Sequence, residues 1–149
     1  MATNTILQSL NSVAEGSGVS SSNRRQIETY IAAETIASGD LVAFDIIQAA
    51  KANRVLNVKL ADSLAGATSV PVGFALADAE AGATVDVVVA GYFENANVAT
   101  GGVAGDRITI SATVGRATFQ AAPHTLAILG YQMAASVANV VDVVVLKQF

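Results

Sequence analysis

The chain has 149 residues, a formal net charge of −4, no cysteine and a single histidine. This excludes disulfide frameworks, thiolate metal sites and thiol nucleophiles, and gives no basic footprint for nucleic acid. Hydrophobic residues make up 52% but aromatics only 5%, so Ala, Val, Ile and Leu must fill the core, which suits a thin, tightly layered sheet.

Charged residues are 13% of the chain, against about 25% in an ordinary soluble domain. Much of the surface is therefore expected to be either neutral polar or covered by another protein. No run approaches the ~20 apolar residues of a membrane span, and the N-terminus lacks the basic and apolar regions of a signal peptide. The chain reads as soluble, made in a cytosol, with no membrane partner.

Residues 1–25 read as an N-terminal arm, loose alone and ordered on a partner. "ILQSL" and Val13 supply apolar anchors at Ile6, Leu7, Leu10 and Val13, followed by the Gly/Ser-rich "EGSGVSSSN". Arg24 and Arg25 close the arm and could meet an acidic partner surface. Residues 26–149 read as one β-domain. "RQIETYIAA" alternates, with Ile27, Thr29 and Ile31 on one face, and "GDLVAFDII" follows a turn at "ASGD". "DIIQAAKAN" lacks alternation and predicts a short helix, with "SLAGA" as an alternative. "NRVLNVKLA", "VPVGFALA" and "TVDVVVAGYFE" continue the strands, and "GDRITIS", "GRATFQA", "TLAILGYQMA" and "NVVDVVVLKQF" complete them. Turn residues recur at the spacing of an all-β barrel or sandwich.

The two halves repeat each other in order, over about 31–93 and 98–149. "ASGDLVAF" matches "VAGDRITI", and "VPVGFALADAEAGATVDVVVAGYF" matches "LAILGYQMAASVANVVDVVVLKQF". Gly39 thus pairs with Gly105, Asp40 with Asp106, Gly73 with Gly130 and Asp86 with Asp142. Gly39–Asp40 and Gly105–Asp106 are turns in which Gly takes positive φ and Asp bonds the backbone. Gly73 and Gly130, inside strands, predict a bulge or a close backbone approach. The Val runs after Asp86 and Asp142 predict burial on both faces, in a barrel wall or at a subunit contact.

No constellation supports catalysis, a cofactor or a metal. His124 stands alone in a predicted turn. Asp78 and Glu80 share a turn that reads as solvated, and the Gly-rich "ATGGVAGD" lacks the Lys-Ser/Thr of a phosphate loop.

The phrase carried by Ile36, Gly39, Asp40, Leu41 and Val42, continued by Pro71, Val72, Gly73, Ala75, Ala79, Gly82, Val85, Val87 and Gly91, resembles the small decoration, or cement, proteins of tailed-phage capsids. It covers about residues 31–93, and the second half repeats it without the Pro and the final Gly. The resemblance implies a non-enzymatic virion protein on the outer capsid surface. It would bridge major capsid protein subunits against internal DNA pressure, commonly as a homotrimer, with its arm on the shell or a neighbour. It implies no cofactor and no nucleic-acid contact. A phage tail or fibre protein is the alternative in the same class. A carbohydrate-binding β-module is the alternative in another, disfavoured by the absence of Trp.

Overall fold

A computed structural model describes residues 25–63, 69–120 and 128–147. Ile6, Leu7, Leu10, Val13, Arg24 and His124 lie outside them. Among the described residues the strands are β1 (Arg25–Ala32), β2 (Leu41–Asp45), β3 (Asn57–Leu60), β4 (Ser69–Ala75), β5 (Thr84–Asn97), β6 (Arg107–Ile110), β7 (Ala117–Gln120), β8 (Gly130–Gln132) and β9 (Val140–Val145). They form one continuous sheet in the order β1-β3-β2-β4-β5-β9-β8-β6-β7, with an additional β1–β5 pairing.

That additional pairing closes β1-β3-β2-β4-β5 into a five-stranded barrel. Its wall runs antiparallel except for the parallel β1–β3 seam. Tyr30, Ala32, Ile36, Val42, Val58, Val72, Ala75, Val85, Val87 and Val89 fill the interior. The alternation of β1 places Tyr30 and Ala32 inward and leaves Ile27, Thr29 and Ile31 exposed. Pro71 has no N–H for the ladder; it sits where the β2–β4 register shifts.

β5 is the hinge of the architecture. Its 14 residues serve twice. Thr84–Ala90 complete the first barrel against β1 and β4. Gly91–Asn97 pair antiparallel with β9 and open a second ring, β5-β9-β8-β6-β7. Gly91 has φ +94° and marks the change from one ring to the next. The second ring closes through one parallel bridge, Val98 to Ala117.

The sequence repeat is therefore a repeat of barrels, and it is longer than 31–93 and 98–149. Tyr30 pairs with Val85 and Ile31 with Thr84; Ala96 pairs with Val141 and Asn97 with Val140 in the same way. The parallel contact of Ala32 with Val58 recurs as Val98 with Ala117. So residues 25–32 and 91–98 are equivalent strands, and the end of the first copy is also the start of the second.

The helix expected in "DIIQAAKAN" is smaller and later. Asp45 ends β2, a turn follows, and a single 3-10 turn spans Lys51–Val55 with no buried residue. A segment with no face to bury gains no packing energy as an α-helix. "SLAGA" falls largely outside the described residues.

Candidate functional site

The repeated turns have the same bonds in both barrels. Gly39 and Gly105 take φ +87° and +90°. Asp40 Oδ2 accepts the Ala37 N–H at 3.0 Å, and Asp106 Oδ2 accepts the Val103 N–H at 2.9 Å. The Gly39 N–H donates to Ala75 C=O and the Gly105 N–H to Gln132 C=O, at 2.9 and 2.8 Å. A tight turn with a self-capping carboxylate sets the start of β2 and of β6.

The strand glycines explain themselves by contact. A Cβ on Gly73 would stand 2.1 Å from Val88 O, and one on Gly130 would stand 2.1 Å from Val144 O. Only glycine allows the neighbouring strand this close. The two repeat carboxylates each clamp a neighbouring strand. Asp86 accepts the Thr29 hydroxyl at 2.6 Å. Asp142 accepts the Tyr92 hydroxyl at 2.8 Å and the Asn95 N–H at 3.3 Å. The bond to Asp142, with some burial, pushes the Tyr92 phenol up to about 12. Burial and the bond to Glu28 push Tyr30 up as well.

The barrels join through the outer face of the first. Leu41, Ala43, Phe74 and Val88 lie in one buried cluster with Val98, Ile108, Val141 and Val143 of the second. Phe74 and Phe93 stack at 5.7 Å with 12° between their planes. The run Val87, Val88 and Val89 is thus buried on both sides of the wall. A polar relay caps the junction: Arg116 Nε donates to Asn97 Oδ1, and Asn97 Nδ2 donates to Asp40 Oδ1, both at 3.0 Å.

Seam closure differs between the two. In the first barrel the Ile31 N–H donates directly to Leu56 C=O at 2.9 Å. The equivalent Asn97 N–H and Gly115 C=O of the second barrel do not meet. Asn97 N–H donates to Gly39 C=O, and Gly115 C=O accepts the Leu41 N–H, both at 2.8 Å. The Gly39–Leu41 turn of the first barrel sits in the seam of the second.

The outer face of the first barrel is covered by the second, and the equivalent face of the second is only partly covered. Leu41, Ala43, Phe74 and Val88 correspond to Arg107, Thr109, Tyr131 and Val144. Arg107, Tyr131 and Val144 are half-buried, and Thr109 is buried. Asp106 has the turn bond alone among the described residues, with no equivalent of the Asn97 amide. On the first barrel, Ile27, Ile31, Val55 and Leu56 are exposed around the β1–β3 seam.

Of the candidate contact residues on the arm, the structure describes Arg25, which opens β1 opposite Gly91. Asp78 accepts the Ser38 N–H at 2.7 Å and Glu80 the Thr35 hydroxyl at 3.2 Å. Among the described residues no three His, Asp or Glu side chains are grouped to hold a metal. The seam patch was missed by sequence reasoning. So was the double use of β5, whose faint signal is the shared Glu of "RQIETYIAA" and "GYFENANVA" at Glu28 and Glu94.

No family model matches the chain, and no curated protein matches it. Among solved structures, the fold is similar to the N base of the head fiber gp8.5 of bacteriophage phi29. The TM-score is 0.55 at 17% identity, over 82% of this chain and 94% of that one. At that identity the likeness is one of fold.

Proposed function

We propose that this chain is a structural protein of a phage virion, bound to the outer capsid surface, where it stabilises the shell by bridging major capsid protein subunits. The likeness to the phi29 head fiber base, which spans most of both chains, supports the part of the reading that makes this a phage structural protein. The Ile36–Val42 and Pro71–Gly91 phrase supports it independently. In this reading residues 1–25 lie along the shell or a neighbouring subunit. Ile6, Leu7, Leu10 and Val13 are the apolar anchors, and Arg24 and Arg25 are the charged ones. The arm adds affinity by ordering on binding, the β-domain self-associates, with a trimer favoured, and binding at many equivalent sites sums modest contacts.

Copy number tests it. Near parity with the major capsid protein in purified particles supports decoration. A handful of copies supports the fibre reading, which the phi29 likeness also favours. Deleting residues 1–25 should leave a folded domain that binds expanded capsids poorly; undiminished binding refutes the role of the arm.

A further inference from the structure

We infer that the β1–β3 seam of the first barrel docks the Val103–Arg107 turn of a second copy of this chain, in a head-to-tail contact. This deepens the self-association in the reading above and does not depend on the capsid.

The template lies inside the chain. Here the Gly39–Asp40 turn of one barrel already sits on the β5–β7 seam of the other, through Asn97, Gly115 and the bond of Asn97 Nδ2 to Asp40. The equivalent seam on the first barrel has Ile31 at the Asn97 position and Leu56 at the Gly115 position. Those two are 41% and 51% exposed, with Val55 next to Leu56 at 60%, and Ile27 at 41% lies further along the same face of β1. An apolar group of this kind is costly to leave in water.

The matching turn is also uncovered. Val103 corresponds to Ala37 and is 58% exposed; the bond of Asp40 to the Asn97 amide has no counterpart at this seam, where Ile31 stands at the Asn97 position. The Val runs also differ in cover. Val88 is buried beneath the second barrel, whereas Val144, at its equivalent position, is half-exposed. A wall with apolar side chains on both faces is expected to have both faces covered.

The first seam differs in two respects that shape the contact: Ile31 offers the turn no side-chain amide, and the backbone is already closed. Ile31 N–H and Leu56 C=O already bond each other. The incoming turn therefore rests on side chains and does not enter the seam, so the contact is apolar and reversible. It joins two different faces, which makes it heterologous: it closes into a ring or extends.

Sedimentation velocity on the full chain, from micromolar to sub-millimolar protein, tests it with two variants. Seam variant Ile31→Glu/Leu56→Glu and turn variant Val103→Glu change exposed side chains, and unchanged circular dichroism and melting verify their folds. The wild type is expected to associate with concentration. Each variant alone should lose association. An equimolar mixture should recover a dimer and go no further, because each variant contributes one intact face. A wild type that stays monomeric throughout overturns the proposal. Persistent association of the seam variant does so too, as does a mixture that stays monomeric while the wild type associates. Capsid binding by the same variants, measured separately, reports on the decoration reading.

Discussion

The two barrels share a backbone and differ in what fills and covers it. Turn bonds, the glycine crossings and the β2–β3, β2–β4 and β4–β5 pairings recur residue for residue, while the register along β5 and the closure of the seam do not. Nor do the side chains. Ile36 and Ala75 inside the first barrel become Gly102 and Gln132 in the second, a large–small pair inverted to small–large. Leu41 and Ala43 under the junction become Arg107 and Thr109 where no second barrel covers them. The comparison teaches that the fold is specified by a few positions where backbone meets backbone. Packing positions then drift in compensating pairs, and outer faces follow what they touch.

The largest effects should come from those backbone positions. Gly73→Ala places a methyl group on Val88 O and must push apart strands packed on both sides. A loss of about 4 kcal/mol or more is expected, beyond the usual range for a single substitution, read as insoluble expression or a collapsed urea midpoint. Gly130→Ala meets the same clash at Val144, but β9 is half-exposed and can yield, so its loss should be smaller. Equal losses would mean that cover by the second barrel adds no rigidity.

Next comes the junction. Phe74 is fully buried and stacked on Phe93. Phe74→Ala should cost about 3–5 kcal/mol, as cavity-forming truncations of Phe do. Tyr131→Ala, at the equivalent but half-buried site, should cost about 1 kcal/mol, the central value for point substitutions. If the order reverses in urea unfolding, the outer face of the second barrel is covered after all.

The inverted interior pair gives a smaller effect of opposite sign. Gln132 is buried with neither amide atom bonded, and a Cβ on Gly102 would stand 2.4 Å from its Nε2. Leaving such groups unsatisfied costs about 1–3 kcal/mol, so Gln132→Leu should raise the melting temperature. Gly102→Ile alone should destabilise by overpacking. Gly102→Ile with Gln132→Ala rebuilds the first barrel's arrangement and should recover most of that loss. Failure of the double variant, with the single ones behaving as stated, would show that the two interiors are not equivalent.

Much of this was legible in the residues. "SGD" and "AGD" announced their turns, and glycine within a strand announced a close crossing, because those requirements are local. The shared strand was not, since "VDVVVAGYFENAN" reads as one strand whether it serves one barrel or two. Only the positive φ at Gly91 and the pairing to β9 divide it. Nor could alternation in β1 say which side was inward. Ile27 and Ile31 outweigh Tyr30 in apolar count, yet Tyr30 goes in, where its ring meets Phe44 edge-on at 5.8 Å and its hydroxyl reaches Glu28. The contacts on the barrel exteriors depend on tertiary neighbours, which no periodicity encodes.

The smallest expected effect concerns those tyrosines, one on each barrel's first strand. Tyr92 donates to Asp142 and Tyr30 to Glu28. Each bond needs the neutral phenol, and ionisation would set a phenolate beside a carboxylate. Tyr92 is held at about 12 in the folded chain against 10.0 unfolded. A group whose folded value is raised keeps its full contribution below the unfolded value. That contribution is then lost as pH climbs from 10.0 through about 12. Urea stability should therefore fall across this window, and Tyr92→Phe should flatten part of the fall, leaving the part due to Tyr30. Because Tyr92 is half-buried where Tyr30 is buried, its share is the smaller one. A Tyr92→Phe chain with the wild-type pH profile would mean that the Asp142 clamp holds β5 to β9 through the Asn95 N–H alone.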